Sequence, residues 1–114
     1  MWMPKVLFVD DEPYILDTYL RMLRGSAFEC IVLYDSTRVF ELPYLKEIDI
    51  IAVDQQMPEI TGSEILLEMK LRFPNIKRLL ISGDTFNLQD SYCDFILQKP
   101  LTKLDLINCL SSLK

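Results

Sequence analysis

Val6-Leu7-Phe8-Val9 runs directly into Asp10-Asp11-Glu12-Pro13. Four bulky apolar residues are too few for a helix, and they suit a strand buried on both faces. Three acids and a proline end the run abruptly. Proline is favoured in the first turn of a helix, so Pro13 predicts a strand–turn–helix unit with Asp11 or Glu12 as the cap. Over residues 14–24 the apolar positions Ile15, Leu16, Tyr19, Leu20, Met22 and Leu23 leave Asp17, Arg21 and Arg24 on the other side. That pattern is an amphipathic helix, closed by Gly25.

The same alternation continues along the chain. Residues 28–34, 48–53, 76–81 and 95–97 read as further strands. Residues 36–45 read as a weak second helix broken by Pro43. A third helix is capped by Ser63 and stopped by Pro74 and Asn75, and a final helix covers 101–113. Strand alternating with helix five times implies an α/β fold. The expected architecture is a doubly wound, five-stranded parallel sheet with helices on both faces. No internal repeat or linker interrupts residues 1–114, so they read as one domain.

Composition narrows the function. The chain has 114 residues, half of them apolar and a quarter charged, as in an ordinary globular domain. No apolar run approaches the roughly 20 residues of a membrane span. Seventeen acids against twelve bases give a net charge of −5. With no basic cluster, neither direct nucleic-acid binding nor binding to an anionic membrane is expected. There is no histidine, which removes histidine-based zinc sites, Ser-His-Asp and Cys-His nucleophiles, and histidine general bases. Cys30, Cys93 and Cys109 are odd in number and lack metal-ligand spacing. They read as reduced residues of a cytoplasmic protein, in line with an N-terminus that has no signal-peptide pattern.

In open α/β sheets ligands bind beyond the carboxyl ends of the strands, where the strand order reverses. The groups standing at those ends are Asp10 and Asp11 after the first strand and Asp54 after the third. Ser82 follows the fourth and Lys99 the fifth. Three carboxylates in one place repel, and one would stay protonated without a counter-charge. Mg²⁺ supplies that charge with oxygen ligands and retained waters. Lys99 and Ser82 add a point charge and a hydroxyl suited to phosphoryl oxygens. The set fits in-line phosphoryl transfer, for which an aspartate is an accepted nucleophile. Taken singly, each residue has an ordinary use: Asp10 and Asp11 as helix caps, Asp54 as a loop acid, Ser82-Gly83 as a turn, Lys99 as a solvated lysine. Their joint placement at sister strand ends is what favours a site.

The arrangement resembles the receiver domain of two-component response regulators, the CheY-like family. Val9-Asp10-Asp11-Glu12-Pro13, Asp54 with Gln56-Met57-Pro58 and Thr61-Gly62, Ser82-Gly83 and Lys99-Pro100 carry the resemblance, in order and across the chain. It implies Asp54 as the phospho-acceptor, served by a histidine kinase or phosphotransfer protein. It implies Mg²⁺ held by Asp11 and Asp54, by Asp10 mainly through water, and by the backbone carbonyl of Gln56. Ser82 would be the switch hydroxyl and Lys99 the partner of the phosphoryl group. Gln56 and Asp84 would tune the access of water. The Lys99–Pro100 peptide would be cis. The resemblance also implies an output domain or effector, and a homodimer through the face formed by the last strand with the fourth and fifth helices.

Two departures stand out. The family commonly has Tyr or Phe three residues before that lysine, where this chain has Ile96, with Phe95 one residue earlier. Neighbouring strand residues face opposite sides, so Phe95 replaces it only through a bulge or slip. The interval from Ser82 to Lys99 is also short, which leaves residues 85–92 for a shortened fourth helix. These departures keep open a phosphorylation-independent docking module as the alternative function. A phosphohydrolase fits less well, because Gln56 stands where a second acid would be needed and no cap covers the site. A turnover enzyme is therefore not expected. Flavin binding needs Ser, Thr and Gly after the first strand, where this chain has acids.

Overall fold

The computed structural model describes residues 2–84 and 92–114. Five parallel strands form one sheet: β1 (Lys5–Val9), β2 (Glu29–Leu33), β3 (Ile50–Asp54), β4 (Lys77–Ser82) and β5 (Phe95–Gln98), in the order β2-β1-β3-β4-β5. Three α-helices accompany them among the described residues: α1 (Pro13–Leu23), α2 (Gly62–Arg72) and α3 (Lys103–Leu113). The expected doubly wound α/β architecture is present.

Strand alternation builds two cores. Val6, Phe8, Ile50, Ala52, Leu79 and Ile81 face α1 and α3, where they meet Leu16, Tyr19, Leu106 and Leu110. Leu7, Val9, Ile51, Val53 and Leu80 face the other way, against Ile65, Leu66 and Met69 of α2. β1 and β3 are therefore buried on both faces, which is why their sequences read as unbroken apolar runs. Truncating a fully buried leucine or isoleucine here costs about 2–5 kcal/mol.

Several local expectations need correction. Residues 36–45 do not form an α-helix. They fold into one 3-10 segment over Ser36–Glu41, and a second follows over Leu45–Glu47. Pro43 removes a backbone donor, and Thr37, Val39 and Phe40 are weak helix formers, so no full α-turn propagates. Thr61, not Ser63, caps α2, through a reciprocal capping box with Glu64. Neither Asp11 nor Glu12 caps α1 with its side chain. Glu12 occupies the N-cap position, and its backbone N–H donates to Asp10 Oδ1 at 3.0 Å. Gly25 ends α1 as expected, with φ +77°. The shortened fourth helix expected over residues 85–92 lies outside the described residues except for Tyr92, which is in a turn.

β5 pairs with β4 in unbroken register, Leu79 to Phe95 and Leu80 to Ile96. No bulge exchanges the two β5 side chains. Ile96 packs in the α2-side core, and Phe95 is 45% exposed beside Leu97 and Cys109 on the α3 side.

Candidate functional site

β1 is flanked by β2 on one side and β3 on the other, so the strand order reverses at β1/β3. The carboxyl ends of those two strands deliver the acids. Asp10 directly follows β1 and is 1% exposed; Asp54 is the last residue of β3 and is 5% exposed. Asp11 is half-buried beside them. One carboxylate oxygen from each of the three lies within 4.8 Å of the others. Lys99, just past β5, reaches across with Nζ 2.7 Å from Asp54 Oδ1 and 3.7 Å from Asp10 Oδ2. The Lys99–Pro100 peptide is cis, as expected.

The electrostatics follow from burial. Loss of water pushes the Asp10 carboxyl up from 3.8 to about 6; the Glu12 N–H opposes this and the Asp54 charge reinforces it. Asp54 is likewise raised by burial, which outweighs the lowering by Lys99 and by the Gln56 backbone N–H. For Lys99 burial acts to lower the pKa, but the bond to Asp54 and the charges of Asp54, Asp10 and Glu12 outweigh it, and the net direction is up. Asp10 Oδ2 is buried with no hydrogen-bond partner among the described residues. The Lys99 ammonium 3.7 Å away compensates that oxygen only in part, and an anionic oxygen without a hydrogen bond costs free energy. The three carboxylates together are a fitting hard-oxygen donor set for Mg²⁺.

The other expected residues are placed less directly. Ser82 ends β4 with no exposure, but its hydroxyl donates to the Asp84 carbonyl at 2.8 Å and accepts from the Asp84 N–H at 3.2 Å. Among the described residues its bonds go to that local loop and not to Asp10, Asp11, Asp54 or Lys99. The Gln56 side chain is exposed, in the loop that follows β3.

Two residues matter more than their sequence context suggested. The Gln55 side-chain oxygen accepts from Ser63 N–H at 2.8 Å and Ser63 Oγ at 2.9 Å, which ties the end of β3 to the start of α2. Nothing in the spacing of a glutamine and a serine eight residues apart signals this. Gly62 has a clearer signature, since glycine is a poor helix starter. A Cβ there would lie 2.6 Å from the Asp54 carbonyl oxygen and 2.8 Å from Leu80 Cδ1. The first turn of α2 is thus pressed against the backbone of Asp54 itself.

The family described as "Response regulator receiver domain" matches residues 6–110. The chain belongs to this family. Among curated relatives, this receiver domain is 36% identical over 80 residues to the hydrogenase transcriptional regulatory protein HoxA of Cupriavidus necator, covering 70% of this chain and 16% of that protein. It is 29% identical over 106 residues to the putative two-component response regulator ARR21 of Arabidopsis thaliana, covering 89% of this chain and 17% of that protein. The chain therefore spans about a sixth of the length of these relatives. Among solved structures, a receiver domain protein from Clostridium thermocellum superposes with TM-score 0.86 at 28% identity, over 96% of this chain and 93% of that one. The response regulator TrrA of Thermotoga maritima, solved in complex with Mg²⁺-BeF, superposes with TM-score 0.88 at 22% identity, over 98% and 100%. The latter likeness is one of fold.

Proposed function

We propose that this receiver domain accepts a phosphoryl group on Asp54, in the presence of Mg²⁺, from a histidine kinase or phosphotransfer protein. The observation that carries the reading is the grouping of the Asp10, Asp11 and Asp54 carboxylates with Lys99 2.7 Å from Asp54. Asp11, Asp54 and the Gln56 carbonyl would hold the ion directly, and Asp10 would act through a bound water. Bound Mg²⁺ supplies neutralisation of the charge that develops on the transferred phosphoryl oxygens. An Asp54 carboxylate oxygen forms the new O–P bond as the donor's N–P bond breaks, and the donor imidazole leaves with the electron pair. Lys99 then exchanges its bond to Asp54 for a phosphoryl oxygen. Ser82 leaves the Asp84 backbone to donate to another.

The result is a regulatory acyl phosphate rather than a turnover product. It changes the affinity of this surface for an output domain or effector, or for a second copy through the last strand and its flanking helices. A cytoplasmic location suits the reading, as do three cysteines that form no disulfide. A docking module independent of phosphorylation remains the second reading, favoured by Ile96, an aliphatic residue packed into the core beside the switch hydroxyl's strand. Acetyl phosphate with Mg²⁺ tests the first reading. Labelling is expected at Asp54 and is expected to vanish in Asp54→Asn; labelling that persists in that variant overturns the assignment.

A further inference from the structure

A groove of about 320 Å³ opens beside the acidic centre, between the end of β2, the first 3-10 segment and the β3–α2 loop. Tyr34, Ser36, Pro58 and Glu59 line it, and Asp11 forms the wall shared with the acidic centre. Asp35 also lines it, but its carboxylate is engaged by the Thr37 N–H and hydroxyl and lies 3.8 Å from Arg38. Asp11 and Glu59 have no ion pair among the described residues. Two further features separate this groove from an ordinary acidic surface. Ser36 is 8% exposed and lines the groove, and its hydroxyl, which reaches solvent, has no hydrogen-bond partner among the described residues. Tyr34 is 65% exposed, so the groove is bordered by an aromatic ring left open to solvent.

The Glu59 carboxylate, the solvent-facing Ser36 hydroxyl and the open Tyr34 ring together suit one chemistry, with Asp11 of the acidic centre adding negative charge at the groove wall. A guanidinium is planar, stacks on aromatic faces and offers several N–H donors to carboxylate and hydroxyl oxygens. An ammonium lacks the plane and the fork. Among the described residues no basic side chain lines the groove to repel a cation. We propose that this groove receives an arginine side chain from a protein docking beside the acidic centre, with the guanidinium against Tyr34 and its donors on Glu59 and Ser36. The identity of that protein as the phosphodonor rests on the receiver reading; the binding of the side chain does not.

The probe is Nα-acetyl-arginine methylamide, titrated into the full chain and followed by amide and side-chain NMR. Saturable shifts are expected at Tyr34, Ser36, Thr37 and Glu59, at millimolar concentrations. The lysine analogue should bind at least threefold more weakly, and the neutral citrulline analogue not at all. Glu59→Gln and Tyr34→Leu change exposed residues and should keep the native spectrum while each weakens binding threefold or more. Saturating Mg²⁺ adds charge at Asp11 and should also weaken it. Shifts elsewhere on the surface, equal response to citrulline, or undiminished binding by both variants overturns the proposal. Labelling of Asp54 by acetyl phosphate in Glu59→Gln reports on the receiver reading separately, so the two can fail independently.

Discussion

Replacing Asp10 with asparagine is expected to make the metal-free domain more stable, although it removes a residue of the site. Asp10 is 1% exposed, and its Oδ2 has no hydrogen-bond partner among the described residues. Burial raises its carboxyl from 3.8 to about 6. The folded chain therefore binds this proton more tightly than the unfolded chain does. Between those two values stability falls as pH rises; the contribution is fully present below the lower one and lost above the upper one. A shift of about two units at 1.36 kcal/mol each sets a ceiling of about 3 kcal/mol on the penalty at neutral pH. Asparagine keeps an oxygen to accept the Glu12 N–H, so that bond survives. Its amide nitrogen then faces Lys99 where Oδ2 stood 3.7 Å away, which returns part of the gain. A net increase of about 1–2 kcal/mol is expected once that lost contact is counted. Urea unfolding in EDTA at pH 7.5 measures it, with an unchanged slope as the check that only stability moved. Repeating the measurement near pH 4 should shrink the difference. Saturating Mg²⁺ should stabilise the wild type more than the variant, because binding to the folded state adds RT ln(1 + [L]/Kd). If Asp10→Asn is no more stable than wild type in EDTA between pH 6 and 8, the orphaned buried carboxylate is not the liability described here.

Gly62→Ala should lose about 1–3 kcal/mol in the same assay through overpacking. The added Cβ meets the Asp54 carbonyl, backbone that cannot swing aside, so the variant should also disturb the NMR signals of Asp54. Lys99→Met removes the counter-charge from Asp54 and should destabilise the EDTA form by about 1–3 kcal/mol, less than a fully buried pair because the lysine side chain is 30% exposed. The same variant should bind Mg²⁺ at least as tightly as wild type, measured by the NMR titration midpoint, because a competing cation has been withdrawn.

Much of this was legible because the sheet is parallel and covered on both sides. Such strands are apolar throughout, so their ends are marked by the first polar residue, and here those residues are Asp10, Asp54 and Ser82. Where one residue does the chemistry at a strand end, the same boundary locates the element and the site. What was not legible depended in part on contacts across loops. The Gln55–Ser63 tie arises only once the chain has turned back on itself, whereas the Thr61 cap is a local signature, a threonine with Glu64 three residues on, that the choice of Ser63 passed over, and the Ser82 hydroxyl bonds the Asp84 backbone two residues on. The second helix failed for a different reason. Its apolar residues Val39, Leu42 and Leu45 find the α2-side core through 3-10 turns, so burial is satisfied without the helix that the spacing suggested.

The buried carboxylates and the density of the central strands are two sides of one arrangement. Water would lower the cost of Asp10 and Asp54, but it would also weaken every electrostatic contact to a bound cation or phosphoryl oxygen. Placing the acids at the carboxyl ends of β1 and β3, the two strands buried on both faces, keeps water out by the same packing that stabilises the sheet. A penalty of up to about 3 kcal/mol at one carboxylate is a large share of the roughly 5–15 kcal/mol by which a domain is stable. Such a strand end can therefore carry the acids only because Leu7, Phe8, Ile51 and Ala52 behind them are almost completely removed from solvent. Loosening that packing, for instance by Phe8→Ala at about 3–5 kcal/mol, would weaken the domain and rehydrate the acids in one step.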